Sequence, residues 1–299
     1  MNRAFEVVLR VKSACSNGLR YFGRYASKLK KLFTTHYSQF TKKLFAFTLA
    51  ETLIVMGVIG VVAALTLPNL NSSTNNKEKV AKLQKIYQNL EDALGRAQAV
   101  YGPIDEWFTN DSTEDITIVD NFSERVGGRL TDFLKVSKNC GTKTGGCIHP
   151  SIYKYKDGSN EGSHFGTGQS NYYRAILADG TSVAFIIFAN GCRVHTADIT
   201  SETLCGWTFV DLSGPNKGKH MWGYDFFDFF LTSNGFLPIG TPMDNYGNTQ
   251  DVLKSNCLSK GLHCAGWIIQ NGNMDYLKVG SDGKCPNGTV LSWENITCN

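Results

Sequence analysis

The strongest pattern along the chain is an apolar run at residues 47–67, FTLAETLIVMGVIGVVAALTL, in which Glu51 is the only charged residue. At about 1.5 Å per residue in a helix, a run of this length reaches across the roughly 30 Å hydrocarbon core of a bilayer. It is longer than the core of a secretory signal peptide, and no small-residue cleavage motif follows it. The run therefore predicts a membrane-spanning helix.

A second helix is predicted after Pro68 and the polar stretch that follows it. Apolar residues recur at alternating spacings of three and four, and Gly102-Pro103 ends the pattern. The residues of this stripe are Val80, Leu83, Tyr87, Leu90, Leu94, Ala97 and Tyr101. A coiled coil would show the same stripe over more repeats, so we expect an amphipathic helix that packs on a sheet.

Short strands and turns are predicted from residue 104 onward. Asp179-Gly180 separates apolar segments at residues 172–178 and 182–189, and Ser233-Asn234-Gly235 separates residues 226–231 and 236–239. Each arrangement is typical of a β-hairpin. Residues 206–212 predict another strand, residues 267–270 and 290–293 predict weaker ones, and the Gly-, Ser- and Lys-rich residues 139–170 predict a long loop.

The predicted fold class is α+β, with a long N-terminal helix packed on an antiparallel β-sheet in a loop-rich, disulfide-stapled chain. The helix is expected to have a membrane-spanning half and an amphipathic half. Four parts are predicted: a basic cytoplasmic leader at residues 1–46, a transmembrane or filament-core helix at 47–67, an amphipathic extension at 68–103 and an extracytoplasmic domain at 104–299.

Charge is divided unevenly along the chain. Residues 1–46 hold ten Lys or Arg against the single acid Glu6, whereas the remainder holds 20 basic and 25 acidic residues. The basic balance therefore belongs to the leader, and a net charge of about −5 on the rest argues against a nucleic-acid partner. The leader also carries an apolar stripe, which is compatible with the inner face of a membrane or with an unstructured leader.

Cysteine is divided in the same way, with Cys15 in the leader and eight cysteines downstream of the apolar run. An even set on one side of such a run predicts disulfides in an oxidising compartment. The downstream cysteines fall into four close couples, which favours nearest-neighbour pairing, although eight cysteines allow 105 pairings. The couples are Cys140/Cys147, Cys192/Cys205, Cys257/Cys264 and Cys285/Cys298. His149 and His263 lie beside two of them, but neither couple has the CxxC spacing of a zinc site.

One short motif links the leader to the apolar run. Lys42-Lys43-Leu44-Phe45-Ala46 precedes Phe47-Thr48-Leu49-Ala50-Glu51-Thr52-Leu53-Ile54, and Pro68 follows. This motif resembles the class III signal of type IV pilins and type II secretion pseudopilins. The resemblance implies cleavage between Ala46 and Phe47 by a prepilin peptidase, N-methylation of Phe47, and places for Glu51 and Pro68 that match the family pattern. Ala46 stands where the family usually has Gly, and the leader is long.

The resemblance implies a structural subunit of a pilus or of a secretion pseudopilus, and not an enzyme. Its implied partners are sister subunits, the prepilin peptidase, an inner-membrane platform protein and an assembly ATPase. The implied location is the cytoplasmic membrane, in a single pass with the C-terminal domain outside, and then the filament or cell surface. A looser likeness to pilin-like proteins covers residues 210–225 and 267–276.

Glu51 is the candidate assembly residue on physical grounds as well. A carboxylate in a membrane costs about 2.5–3.5 kcal/mol at the centre of a helix, so a partner is expected. Cleavage would create a cationic amine at Phe47, and a neighbouring subunit's amine would neutralise Glu51 in a filament. The alternatives are that Glu51 lies close enough to the headgroups to be hydrated, or contacts the Phe47 amine of its own chain.

Three further interpretations depend on weaker patterns. Asp211, Asn216 and Asp225 flank a Gly/Pro turn and predict either a calcium site, as in some pseudopilins, or ordinary turn chemistry. The aromatic-rich residues 221–230 predict core packing rather than a ligand platform. The alternative function is a membrane-anchored, disulfide-rich binding module or adhesin. Glu51 and the cleavage context at Phe47 distinguish the two functions, because an anchor needs neither.

Overall fold

The structure is a computed structural model that describes residues 49–108, 119–143, 145–150, 152–161, 171–187, 192, 204–242 and 250–298. Side chains are described for all of these residues except 65–73 and 119–121. The chain divides into two compact units, Met1–Leu65 and Thr66–Asn299. We call the described residues 49–64 the N-terminal segment and Thr66–Asn299 the globular unit.

Within the described residues, the helices and strands follow one another in the order helix, helix, six strands and a C-terminal helical region. The α-helices are α1 (Leu49–Tyr101), α2 (Val119–Thr131), α3 (Gln250–Leu253) and α4 (Ala265–Asn271). The strands are β1 (Val136–Gly141), β2 (Tyr172–Leu177), β3 (Ser182–Ile187), β4 (Leu204–Asp211), β5 (Phe226–Thr232) and β6 (Phe236–Pro238). Two 3-10 helices (Ile104–Phe108 and Asp275–Lys278) and a π-helix (Lys254–Leu258) complete the set.

The predicted fold class is wrong in its N-terminal part. Among the residues with described side chains, none of the helices combines the length and the apolar character needed to cross a bilayer. The predicted membrane-spanning half is therefore not found among these residues, whereas the antiparallel sheet and the disulfides are present.

All six strands form one antiparallel sheet in the order in which they occur along the chain. Asp179-Gly180 joins β2 to β3, and Ser233-Asn234-Gly235 joins β5 to β6, so both predicted hairpins are confirmed. Strand β4 lies between them and confirms the strand predicted at residues 206–212. Short connections of this kind pair neighbouring strands directly and explain the simple order.

The main core lies between one face of the sheet and the helices. Leu83, Ile86 and Leu90 of α1 are completely buried there, and Tyr87 stacks on Phe229 of β5 with ring centroids 5.8 Å apart. The predicted stripe is confirmed through Ala97, whereas Tyr101 is exposed. The stripe turns toward the sheet because apolar residues three and four apart share one face of a helix.

A second layer covers the opposite face of the sheet. Tyr153 and Trp222 pack there against Phe209 and Phe226, with ring centroids of Tyr153 and Phe226 4.1 Å apart. The aromatic-rich residues 221–230 therefore divide between the two sheet faces, as expected for alternating residues of a strand. Their predicted packing role is confirmed, because all the phenylalanines of β5 are buried.

Three local predictions differ from the structure. Residues 267–270 lie in helix α4, and residues 290–293 contain no strand. Short apolar segments do not distinguish a buried helix from a strand, and Gly272 ends α4 in a left-handed conformation with φ of 64°. Strand β1 lies partly in the predicted loop, because its mostly exposed, polar edge sequence carries no apolar alternation.

Candidate functional site

The N-terminal segment is an apolar helical surface that is exposed on every side. Its large hydrophobic side chains are between 53% and 78% exposed. They are Leu49, Leu53, Ile54, Val55, Met56, Val58, Ile59, Val61 and Val62. Soluble proteins rarely expose a contiguous apolar patch of more than a few hundred Å², and larger patches mark interfaces with proteins or membranes. This surface is therefore a candidate interaction site.

Glu51 is the one charged side chain of the N-terminal segment, and it lies exposed in the first turn of α1. An acid at this position interacts favourably with the partial positive charge of a helix N-terminus. The predicted cleavage residues Ala46 and Phe47 lie outside the described residues. The backbone of Pro68 lies within α1, and its side chain is not described. The pairing of Glu51 with a Phe47 amine therefore stays a prediction.

The eight downstream cysteines form four disulfides, and nearest-neighbour pairing is confirmed. The bonds are Cys140–Cys147, Cys192–Cys205, Cys257–Cys264 and Cys285–Cys298. These cysteines are therefore not free to bind zinc. Among the described residues, no group of three or more His, Cys, Asp or Glu side chains is arranged to hold a metal ion.

The predicted calcium residues lie at the turn between β4 and β5. Asp225 accepts hydrogen bonds from the backbone N–H groups of Lys219 (2.7 Å), His220 (3.2 Å) and Met221 (2.7 Å), and from Ser213 Oγ (3.2 Å). A cation would have to displace these donors from the carboxylate. Asn216 is exposed on the same turn. The donor set does not fit calcium well, and these contacts favour the alternative of turn chemistry.

Asp211 is also occupied by hydrogen-bond donors. Its Oδ2 accepts from Tyr153 Oη at 2.9 Å and lies 3.1 Å from His220 Nδ1, while Oδ1 accepts from the Ser213 N–H at 2.9 Å. Burial raises the pKa of Asp211, and the nearby charge of Asp225 raises it further. The His220 ring stacks on His149 with centroids 3.5 Å apart. Through the stacked histidines, the turn between β4 and β5 contacts the chain just after the Cys140–Cys147 disulfide.

A second buried polar cluster lies on the same side of the sheet and was not predicted. Trp222 Nε1 donates to Glu161 Oε2 at 2.8 Å, and His263 Nδ1 lies 2.6 Å from Asp228 Oδ2. Burial raises the pKa of Glu161 to about 7, against the lowering effect of the Trp222 hydrogen bond. No local pattern could have revealed this cluster, because Glu161 and Trp222 are 61 residues apart in the sequence.

Lys156 is a third partly buried polar group that was not predicted from the sequence. Its Nζ donates to the carbonyl oxygens of Leu258 (2.7 Å), Tyr276 (2.7 Å) and Val279 (2.8 Å). Burial lowers the pKa of Lys156 to about 8. Lys156 therefore satisfies carbonyl groups at the ends of two short helices and holds the C-terminal disulfide-containing region together.

The clusters of the globular unit have the chemistry of structural contacts, since their carboxylates and ammonium groups accept or donate within the fold. The exposed apolar helix with its single acid remains as the candidate interaction site. The chain matches no family model, no curated protein and no solved structure.

Proposed function

We propose that this chain is a structural subunit, pilin or pseudopilin, of a type IV pilin-like filament. The observation that carries the proposal is the N-terminal segment, an exposed apolar helical surface whose one charged residue is Glu51. An apolar surface of this kind is stabilised when other apolar helices cover it. The prepilin-like motif at residues 42–54 supports the same function.

In the proposed cycle, a prepilin peptidase cuts between Ala46 and Phe47, and the processed chain is held at the cytoplasmic membrane with its globular unit outside. A platform protein and an assembly ATPase then add it to a filament whose core is made of packed N-terminal helices. Four disulfides in the globular unit support a location outside the cytoplasm. Glu51 of one subunit pairs with the Phe47 amine of its neighbour.

Replacing Glu51 tests the proposal. Removing one partner of a buried ion pair typically costs about 3–5 kcal/mol, because the other charge is left without a counter-charge. We expect Glu51→Ala to accumulate as processed protein in the membrane fraction with little in sheared filaments, and Glu51→Asp to be intermediate. Thr52→Ala is a control in the same helical turn that leaves the charge intact.

The measurement compares filament and membrane fractions of the wild type and the three variants, and intact mass verifies processing in each. The processed wild type should have the mass of residues 47–299 plus one methyl group. Wild-type amounts of Glu51→Ala in filaments would contradict the ion-pair role. A wild-type chain that begins at Met1 in cells with an active prepilin peptidase, and is absent from filaments, would favour the anchored binding module.

A further inference from the structure

Five asparagines of the chain begin the tripeptide Asn-x-Ser/Thr, the acceptor sequence for N-linked glycosylation of proteins outside the cytoplasm. They are Asn71, Asn110, Asn121, Asn287 and Asn295. The tripeptide is common, and it is an acceptor only where a surface loop makes the amide nitrogen accessible. The place of each asparagine in the fold therefore separates candidates from chance matches.

Of the five asparagines, the structure describes the side chains of two, Asn287 and Asn295. The backbones of Asn71 and Asn121 lie within α1 and α2 and not in surface loops, and Asn110 lies outside the described residues. Asn295 is half-buried, and its Nδ2 donates to a backbone carbonyl oxygen five residues earlier at 3.0 Å. Asn287, by contrast, is exposed in the region that follows α4.

Asn287 lies in a tight turn that two backbone hydrogen bonds close. The N–H of Gly288 donates to the carbonyl oxygen of Cys285 at 2.8 Å, and the N–H of Cys285 donates to the carbonyl oxygen of Thr289 at 2.8 Å. Pro286, Asn287 and Gly288 are all exposed. A Cβ atom added to Gly288 would have no neighbour within 4 Å. The space beside the turn therefore leaves room for a bulky group on the Asn287 side chain.

The Asn287 side chain is oriented in this turn through its amide oxygen. Oδ1 accepts the backbone N–H of Thr289 at 3.0 Å, as in an Asx turn. A sugar attached to Nδ2 would leave this contact in place, because the contact uses the oxygen. Thr289 also supplies the hydroxyl group that completes the acceptor tripeptide, and the Cys285–Cys298 disulfide closes the loop that contains both residues. The acceptor conformation is therefore held by the fold.

We propose that Asn287 is a site of N-linked glycosylation, with a polyprenyl-diphosphate-linked sugar as the donor. A bond forms between Nδ2 of Asn287 and the anomeric carbon of the sugar, while the bond from this carbon to the diphosphate oxygen breaks. The lipid diphosphate leaves with the electron pair, and Nδ2 loses one proton to a base of the transferase. The proposal depends on the location outside the cytoplasm that the four disulfides support, and it does not require assembly into filaments.

The test uses the full chain, purified in detergent from the cells that produce it naturally, and mass spectrometry of its peptides measures the modification of Asn287. Thr289→Ser keeps the acceptor tripeptide, whereas Thr289→Ala destroys it and leaves Asn287 in place. Asn234 is an internal control, because it is exposed in another Asn-Gly turn but has Phe236 two residues later. A glycan adds to the mass of the processed chain, so the N-terminal peptide is measured separately. Failure of this proposal therefore leaves the proposed function untouched.

We expect a glycan on the Asn287 peptide of wild type and Thr289→Ser, and loss of this glycan in Thr289→Ala and Asn287→Gln. Asn234 should be without a glycan in all four proteins, and tryptophan emission verifies that the variants are folded. Wild-type protein without a glycan on Asn287 would overturn the proposal, including protein in which Asn287 is only deamidated to aspartate. A glycan that persists in Thr289→Ala, or that occupies Asn295 in place of Asn287, would overturn it as well.

Discussion

Large apolar side chains are exposed in the N-terminal segment but buried in the globular unit. Leu53 and Ile54 of α1 are 64% and 68% exposed, whereas Leu83 and Ile86 of the same helix are completely buried. In the globular unit, polar residues lie between the apolar residues along α1. The apolar residues therefore share one face of the helix, and this face packs on the sheet. In the N-terminal segment, apolar residues surround the helix, and one sheet face could not cover them all.

The contrast extends to charge. The globular unit buries Glu161 and Asp228 and gives each a hydrogen-bond partner, as buried polar groups require. The N-terminal segment exposes Glu51, its one charged residue. Burying one Leu or Ile side chain contributes about 1.5–3 kcal/mol, so the exposed apolar surface retains a large free energy for association. In the globular unit, burial of apolar side chains instead contributes to the stability of the fold.

The largest expected effect comes from reducing the disulfides. Each loop of 7 or 13 residues stabilises the fold by about 2–3 kcal/mol, and four together approach the whole stability of a domain. We expect reduction to unfold the globular unit and leave the cysteine-free N-terminal segment unchanged. Hydrogen exchange in detergent should show lost protection in β2–β5 and no change at residues 49–64. Protected strands after complete alkylation of the thiols would contradict this.

A matched pair of leucines tests the comparison within one helix. Leu83→Ala removes a fully buried side chain and should lower the free energy of unfolding by about 2–5 kcal/mol. Leu53→Ala removes the same atoms from an exposed position and should leave it unchanged. Urea denaturation followed by tryptophan emission reports on the globular unit alone, because all five tryptophans lie after residue 104. A comparable loss in both variants would mean that Leu53 also packs in the folded unit.

Replacing Lys156 tests whether a partly buried lysine in the globular unit contributes more to stability than an exposed one. Lys156→Met keeps most of the aliphatic chain but leaves the carbonyl groups of Leu258, Tyr276 and Val279 without this donor. We expect a loss of about 3 kcal/mol, since unsatisfied buried acceptors are costly. Lys154→Met, at an exposed position two residues earlier, is the control. Equal denaturation midpoints for the two variants would show that water replaces the ammonium group without cost.

The smallest expected effect concerns the pH dependence of Glu161. Its pKa is about 7 in the folded protein and ordinarily near 4.5, so between these pH values the folded state holds a proton that the unfolded state has released. Stability therefore falls as pH rises through this window. Glu161→Gln keeps an oxygen for Trp222 and should remove this slope, raising stability at pH 8 by about 1–2 kcal/mol.

Thermal unfolding between pH 4 and pH 8 measures this slope. The exposed Glu294→Gln is the matched control and should leave the profile of the wild type unchanged. If Glu161→Gln instead destabilises the protein at pH 8, the charged carboxylate contributes to the fold through its contact with Trp222. The explanation that burial of Glu161 lowers the stability of the fold at high pH would then be wrong.

Much of the globular unit followed from local patterns. The two hairpins were predicted from turn residues between apolar segments, and the buried face of α1 from its three-and-four spacing. The disulfide pairs were predicted from couples separated by 7 or 13 residues. By contrast, the predicted membrane-spanning half is not found among the described residues, and α4 was predicted as a strand. Short apolar runs carry no information on which neighbours will cover them.

The sequence by itself determined the two hairpins and the buried stripe of α1, the division of charge and cysteine along the chain, and the apolar segment with its single glutamate. Those features depend on residues that are close neighbours in the chain. Only the tertiary structure decided that Lys156 meets Tyr276, that Tyr153 meets Asp211, and that Lys79 of α1 lies over the ring of Tyr224. These contacts join residues that are 120, 58 and 145 positions apart in the sequence, respectively. Burial makes these contacts important for stability, because a buried polar group that lacks a partner is costly.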